Sequence, residues 1–341
     1  MNKLKQSFEE TLGRIVSSES CAGCAACVIS CPFSSLEYID SKPQLIKNCE
    51  NCGICSKVCP RYNPPWSEIE KFVYGREKRT DEEFGIYKRI VISRSTDREI
   101  LQFCQDGGVV TTILKYALEN EIIDGAAVSG ISESEPFYPI PILATTIEEI
   151  LRCAGTRYTY SPNLLALREG IRRKREKLAF VGTPCQIQAI RRIQMIPLKK
   201  YTKSIKLVLG LMCTESFTYE GLMKRHIQEK LGINLKDIKK MNIKAKLLVT
   251  MKTGEIITIP LKEVKSYVRK GCISCTDFSS ELADISFGGV GLSGWTLTII
   301  RTERGEEIFE EVENGGLLET KPVEEKVLNL LVKLSRRKRG D

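Results

Sequence analysis

The sequence predicts a small α+β module over residues 1–65 and a larger α/β domain with a mixed sheet over 89–341, joined by a linker over 66–88. Three observations lead there. A cysteine run near the front is duplicated, a proline-rich stretch follows it, and the remainder alternates strand-like and helix-like apolar patterns. At roughly 150 residues per domain, a chain of 341 residues suits two domains. Its 42% apolar content excludes wholesale disorder.

Fourteen cysteines stand against one histidine, His226. A histidine dyad, a zincin helix and a His-rich metal site are therefore excluded, and chemistry must rest on thiols, carboxylates, amines or a cofactor. Lys and Arg number 52 and Asp and Glu 43, a net charge of +9. Residues 1–60 hold six of each sign, so the whole excess lies in 61–341 and favours an anionic ligand or an acidic partner surface there. Met1–Glu10 (MNKLKQSFEE) does not read as a secretory signal, and no run of about 18 apolar residues suggests a membrane span. An intracellular protein is expected, and there clustered cysteines more often hold metal than form disulfides.

Cys21, Cys24, Cys27 and Cys31 form C-x2-C-x2-C-x3-C before Pro32, and Cys49, Cys52, Cys55 and Cys59 repeat it before Pro60, 28 residues on. A triple C-x2-C-x2-C is too crowded for one tetrahedral zinc but suits a cubane corner. The fourth cysteine of each such run ligates the other cluster. One [4Fe-4S] cluster is thus expected on Cys21, Cys24, Cys27 and Cys59, and a second on Cys49, Cys52, Cys55 and Cys31, making the module two-cluster ferredoxin-like. Small residues between the ligands (Ala22, Gly23, Ala25, Ala26, Gly53) let backbone N–H groups approach sulfur.

RYNPPWSE then reads as linker, with Pro64 and Pro65 stopping helix continuation. Beyond Arg89, strands are expected at 90–93, 126–131, 178–181 and 205–212, with a hairpin over 247–260 turning at Thr253-Gly254. Helices are expected at 108–120, 164–177, 185–193, 219–231 and 323–335. The closing RRKR reads as a solvated end. The basic residues lack interleaved aromatics, so nucleic-acid binding is not expected.

Gly289, Gly291 and Gly294 spell G-x-G-x-x-G, but the strand-like Trp295–Ile300 follows where a dinucleotide loop needs a helix. Two other loops lie between elements where ligands bind. Asp106-Gly107-Gly108 precedes a helix whose first N–H groups could hold phosphate, or the Asp is simply an N-cap. Gly182-Thr183-Pro184-Cys185 joins a strand to a helix, as a ligand loop or an ordinary turn with Pro at the first helical position. Of the six remaining cysteines, Cys185, Cys213, Cys272 and Cys275 could share a third cluster. Zinc or buried apolar thiols fit their spacing too.

C-x-DGG-x-VT (104–111), GTRY-x2-SPN (155–163), VGTPCQIQA (181–189), CTESF-x-Y (213–219), C-x2-C-x-DF (272–278) and ELADIS-x-GG-x-G (281–291) resemble, in order, the beta subunit of the coenzyme F420-reducing hydrogenase/dehydrogenase family. With the cysteine module in front, the chain is similar to electron-input subunits of archaeal F420 dehydrogenases; such modules also occur in F420-dependent sulfite reductases and beside heterodisulfide reductase.

The resemblance implies a flavin-binding α/β domain carrying FAD, with coenzyme F420 as substrate and the third [4Fe-4S] cluster on Cys185, Cys213, Cys272 and Cys275. It points to Gly107, Gly108, Val109, Thr111, Thr156, Arg157, Ser161, Asn163, Gly182, Thr183 and Gln186 as FAD contacts, though the family often has Lys where Arg157 stands. The anionic F420 tail would suit the basic excess; Arg168, Arg172, Arg173 and Lys174 are available, or form a solvated helix face.

A deazaflavin gives up a hydride, an iron–sulfur centre takes one electron, and flavin converts one into the other. The implied function is oxidation of reduced F420 with electrons leaving through the front module to a membrane-associated or heterodisulfide-reductase-type complex. The implied location is cytoplasmic, at the inner face of a membrane only through partner subunits. The reverse reaction and a non-enzymatic electron carrier are the alternatives.

Overall fold

The computed structural model describes residues 6–196 and 198–340. At the front, β1 (Leu36–Ile39) and β2 (Lys42–Leu45) form a hairpin turned at Asp40 and Ser41, both at positive φ, as two-residue hairpin turns prefer. Two short helices, Ala26–Ser30 and Ile54–Val58, each start after a left-handed residue, Ala25 (φ 65°) and Gly53 (φ 68°). Gly23 and Asn51 are left-handed as well. Both pairs are 28 residues apart, so the duplication read in the cysteines recurs in the backbone.

The stretch 66–88 is not a plain linker. Trp66–Tyr74 is a helix, and its Ile69 is fully buried in one core cluster with Ile187 and Ile190. Pro64 and Pro65 stop a helix from running through them yet suit one that begins just after, so they mark a start where the sequence suggested a tether. The Tyr74 hydroxyl donates to the Glu281 carbonyl and fixes the helix to the larger domain.

An eight-stranded mixed sheet forms the centre of the larger domain. Its strands are β3 (Arg89–Ser95), β4 (Gly125–Ile131), β5 (Pro139–Ala144), β6 (Leu178–Gly182), β7 (Ile205–Leu211), β11 (Ile285–Gly288), β12 (Thr296–Ile300) and β13 (Leu318–Lys321), in the order β13-β3-β12-β11-β7-β6-β4-β5. The four strands β11, β7, β6 and β4 run parallel, and the flanking pairs are antiparallel. Successive side chains of a strand point to opposite faces. Phe180 and Val208 therefore meet Leu167, Ile187 and Ile190 on one side, while Val181 and Leu209 meet Ile113, Leu114 and Phe309 on the other. The glycine-rich turn 289–295 joins two strands, not a strand to a helix.

A second sheet, β8 (Ile238–Lys244), β9 (Lys246–Met251) and β10 (Ile256–Pro260), is antiparallel and has its own core around Phe217, Leu222, Met223, Leu247 and Val249. His226 is fully buried in that core, edge-on to Tyr267, and neither ring nitrogen has a hydrogen-bond partner among the described residues.

The final helix, Glu325–Arg339, runs through the basic tail. Lys338 Nζ donates to the carbonyls of Cys272 (3.0 Å) and Thr214, and Arg339 pairs with Glu281 at 2.7 Å. Lys338 and Arg339 of the basic tail are thus docked on the protein and do not form a free solvated end. Among the described residues no helix is long and apolar enough to cross a membrane.

Candidate functional site: a cleft beside grouped thiols

A cleft of about 210 Å³ opens near the C-terminal ends of β6, β7 and β11, where open α/β sheets place ligands. Of the eleven residues implied as flavin contacts, ten line it: Gly108, Val109, Thr111, Thr156, Arg157, Ser161, Asn163, Gly182, Thr183 and Gln186. Gly107 lies behind the wall. Its N–H donates to Thr296 Oγ1 at 3.2 Å, and a Cβ there would stand 2.6 Å from the Ser93 carbonyl.

The local sequence explains how the wall is held. Gly108 (φ 74°) turns the chain into the helix Val109–Glu119, which no side chain caps. The first N–H groups of that helix, where anions bind favourably, border the cleft. Asp106 does not act as the N-cap; it lines the cleft as well, its carboxyl raised by burial against the opposing pull of Lys244 and Lys240. Pro184 opens the helix Pro184–Met195, and Gln186 reaches back to accept from the Thr183 N–H (3.1 Å) while donating to the Ser161 carbonyl (2.6 Å). Asn163 donates to the Val181 carbonyl at 2.8 Å. These side chains lock the β6 loop to the 161–163 turn.

Arg157 has a role that its motif does not disclose. Its Nη1 donates to the carbonyls of Cys153, Ala154 and Gly155, at 2.8, 2.7 and 2.5 Å, closing the end of the helix Ile147–Arg152. Burial lowers its pKa.

Among the described residues, four polar atoms in the cleft wall are buried without a partner: Arg157 Nε, Ser161 Oγ, Asn163 Oδ1 and Ser129 Oγ. Native interiors satisfy nearly all such groups, so this donor and acceptor set fits a polar ligand. Ser129 lies outside every motif that the sequence offers. Its only signal is a hydroxyl inside the otherwise apolar strand GAAVSGI.

Cys185, Cys213, Cys272 and Cys275 ring a small void that shares Tyr160, Thr183 and Ser216 with the cleft. Burial, and then the sulfurs of Cys272, Cys185 and Cys275, push the Cys213 thiol well above its ordinary range. The same void is lined by Ala22 and Arg61 of the front module, and a Cβ on Gly271 would stand 2.2 Å from the Cys21 carbonyl.

Next in line, burial and then the sulfurs of Cys24, Cys59, Cys21 and Cys55 raise Cys27. Burial also pushes Cys55 up to about 12, with Cys49, Cys52 and Cys31 as its sulfur neighbours. Cys59 thus neighbours the first run and Cys31 the second. Backbone N–H groups of Gly23, Phe8, Ser35 and Ser216 point at the sulfurs of Cys21, Cys49, Cys31 and Cys272, at 3.3–3.4 Å. Such donors stabilise thiolates bound to iron.

Among the described residues no three His, Cys, Asp or Glu side chains converge as a single ion would require; Cys185, Cys213, Cys272 and Cys275 line one void and Cys31, Cys49, Cys52 and Cys55 another. The outermost group includes exposed Cys52. Arginines tie the module in place. Arg269 donates to the Ala22 carbonyl (2.8 Å) and lies 4.0 Å over the Tyr160 ring, and Arg192 donates to the carbonyls of Cys59 and Tyr62. Arg168, Arg172, Arg173 and Lys174 do not line the cleft; Arg172 and Arg173 pair with Glu169 on an exposed helix face.

A cleft with unpaired buried polar atoms thus lies on a mixed α/β sheet beside grouped thiols. Comparison with known proteins fixes the chain's family. Profiles of the coenzyme F420 hydrogenase/dehydrogenase beta subunit match residues 90–168 (N-terminal part) and 175–326 (C-terminal part), and the chain belongs to this family of oxidoreductases.

It is 43% identical to the coenzyme F420 hydrogenase subunit beta of Methanothermobacter thermautotrophicus, over 75% of this chain and 92% of that protein. It is 33% identical to a subunit of the F420H2 dehydrogenase of Methanosarcina mazei, over 88% and 84%. That 88% exceeds what residues 61–341 can supply, so this alignment enters the cysteine-rich front. A solved structure of the F420-reducing [NiFe] hydrogenase complex from Methanosarcina barkeri contains a chain similar to this one, with a TM-score of 0.73 and 39% identity, over 77% of this chain and 92% of that one.

Proposed function

We propose that the chain oxidises reduced coenzyme F420 at the cleft and delivers single electrons through the front module to a partner respiratory or reductase complex. The observation that carries this reading is continuity. The cleft with its unpaired polar atoms shares a wall with the inner thiol group, that group abuts the first front group, and the line ends at exposed Cys52.

FAD would be held by the N–H groups at the start of the Val109–Glu119 helix and by Ser161, Asn163 and Arg157. When bound, it takes the two electrons of a hydride together and releases them singly. Cys185, Cys213, Cys272 and Cys275 would hold a third [4Fe-4S] cluster, and the eight front cysteines the other two. The chain's own groups do the rest. Gln186 and Gly107 hold the loops rigid, the apolar wall (Val109, Leu114, Val128, Ile150) excludes water, and backbone donors with Arg61, Arg192 and Arg269 offset the negative charge of iron-bound thiolates.

Residues 1–65 thus act as a two-cluster electron module, with the 66–74 helix part of its mounting. The partner is membrane-associated or of heterodisulfide-reductase type, which would put the chain in the cytoplasm. The hydrogenase-subunit relatives support a second reading, reduction of F420 with electrons from a hydrogenase; the partner's potential sets the direction.

Anaerobic protein mixed with reduced F420 is expected to bleach its flavin absorbance and then reduce methyl viologen. Bleaching by NADH or NADPH but not by reduced F420 would move the substrate. Protein purified anaerobically without flavin would leave a simple electron carrier.

A further inference from the structure

The second sheet carries a local excess of positive charge. Residues 236–262 hold seven lysines against Asp237 and Glu255, a net +5. The register of the second sheet sorts them. Met241, Ile243, Leu247 and Val249 share the face that packs into the core, while Lys240, Asn242, Lys244 and Lys246 share the other. Lys244 and Lys246 are cross-strand partners. Like charges so placed destabilise a hairpin, and no carboxylate among the described residues pairs with Lys240 or Lys246.

This lysine face adjoins the cleft. Lys244 Nζ stands 3.9 Å from Asp106 Oδ1 in the cleft lining, Gln105 Nε2 donates to the Met241 carbonyl (2.9 Å), and the Ile243 N–H donates to the Tyr158 hydroxyl (3.0 Å). An unbalanced cationic strip thus begins at the cleft mouth and runs outward along β8 and β9.

We propose that Lys240, Lys244 and Lys246 hold the anionic tail of the deazaflavin substrate, its phosphodiester and glutamates, while the ring system enters the cleft past Asp106. The inference rests on the F420 reading and adds to it where the substrate's charge is recognised. Long-range attraction of this kind also raises the rate of encounter and weakens with salt.

The test compares F420 with its tail-less deazaflavin analogue in the loaded protein. For Lys240→Glu/Lys246→Glu, the ratio of KM for the tailed substrate to KM for the tail-less one is expected to rise about tenfold, or about 1.4 kcal/mol. Lys240→Gln/Lys246→Gln should give a smaller rise. In the wild type, raising salt from low to physiological strength should increase KM for the tailed substrate alone. Flavin content at the wild-type level shows that the variants fold. An unchanged ratio, or equal changes for both substrates, overturns the inference while leaving F420 as substrate; loss of acidic-protein binding with an unchanged ratio would assign the strip to a partner instead. If neither deazaflavin reduces the wild-type protein, the functional reading itself fails, and this inference with it.

Discussion

Gly108→Val is expected to empty the cleft of flavin. Gly108 sits at φ 74°, and a Cβ there would stand 2.7 Å from Ile100 Cγ2 and 3.3 Å from Ser95 Cβ. A β-branched residue meets both the left-handed penalty, about 1–2 kcal/mol, and a clash against packed side chains that have little room to retreat. The chain must swing away, taking with it the first N–H groups of the Val109–Glu119 helix. A loss of about 3 kcal/mol is roughly a hundredfold in flavin affinity, read by titrating FAD into stripped protein. Gly232→Ala is the control: that glycine is left-handed too (φ 68°) but has open space around it, so flavin affinity should not move. Iron in the front module should also be retained, because the 106–108 loop lies outside it.

Cys272→Ala is expected to remove one cluster's worth of iron, about four atoms of about twelve, and to leave flavin in place. The Cys272 N–H donates to the Arg269 carbonyl at 2.9 Å and its carbonyl accepts from Lys338, so the loop keeps its backbone mounting when the sulfur is gone. With the inner centre missing, the flavin should still bleach on adding reduced F420, while the front clusters stay oxidised by electron paramagnetic resonance. An unchanged iron count would remove the inner centre from the account, whatever the activity.

Much of this arrangement is legible in the sequence because it is local. The cysteine spacing carries its own geometry, and the strong apolar strands β6 and β7 and the Pro184 helix start are punctuated where the chain turns. The parts that escape are those fixed by distant contacts. Strand β5 includes two prolines and pairs only at the sheet edge, and β8 and β13 alternate charge with apolar residues too weakly to read as strands alone. The Trp66–Tyr74 helix resembles a linker because only Ile69 is fully buried. Ser129 and the capping role of Arg157 depend on neighbours far along the chain or around a turn, and no motif announces them. The basic tail reads as solvated because its partners are remote in sequence: Cys272 and Thr214 lie 66 and 124 residues from Lys338, and Glu281 lies 58 from Arg339.

The central claim is that one chain couples a flavin to three iron–sulfur centres. Chemical analysis of oxygen-free protein tests it most directly: about twelve irons, matching sulfide and one FAD per chain are expected. Zinc on the thiols with no flavin would contradict it.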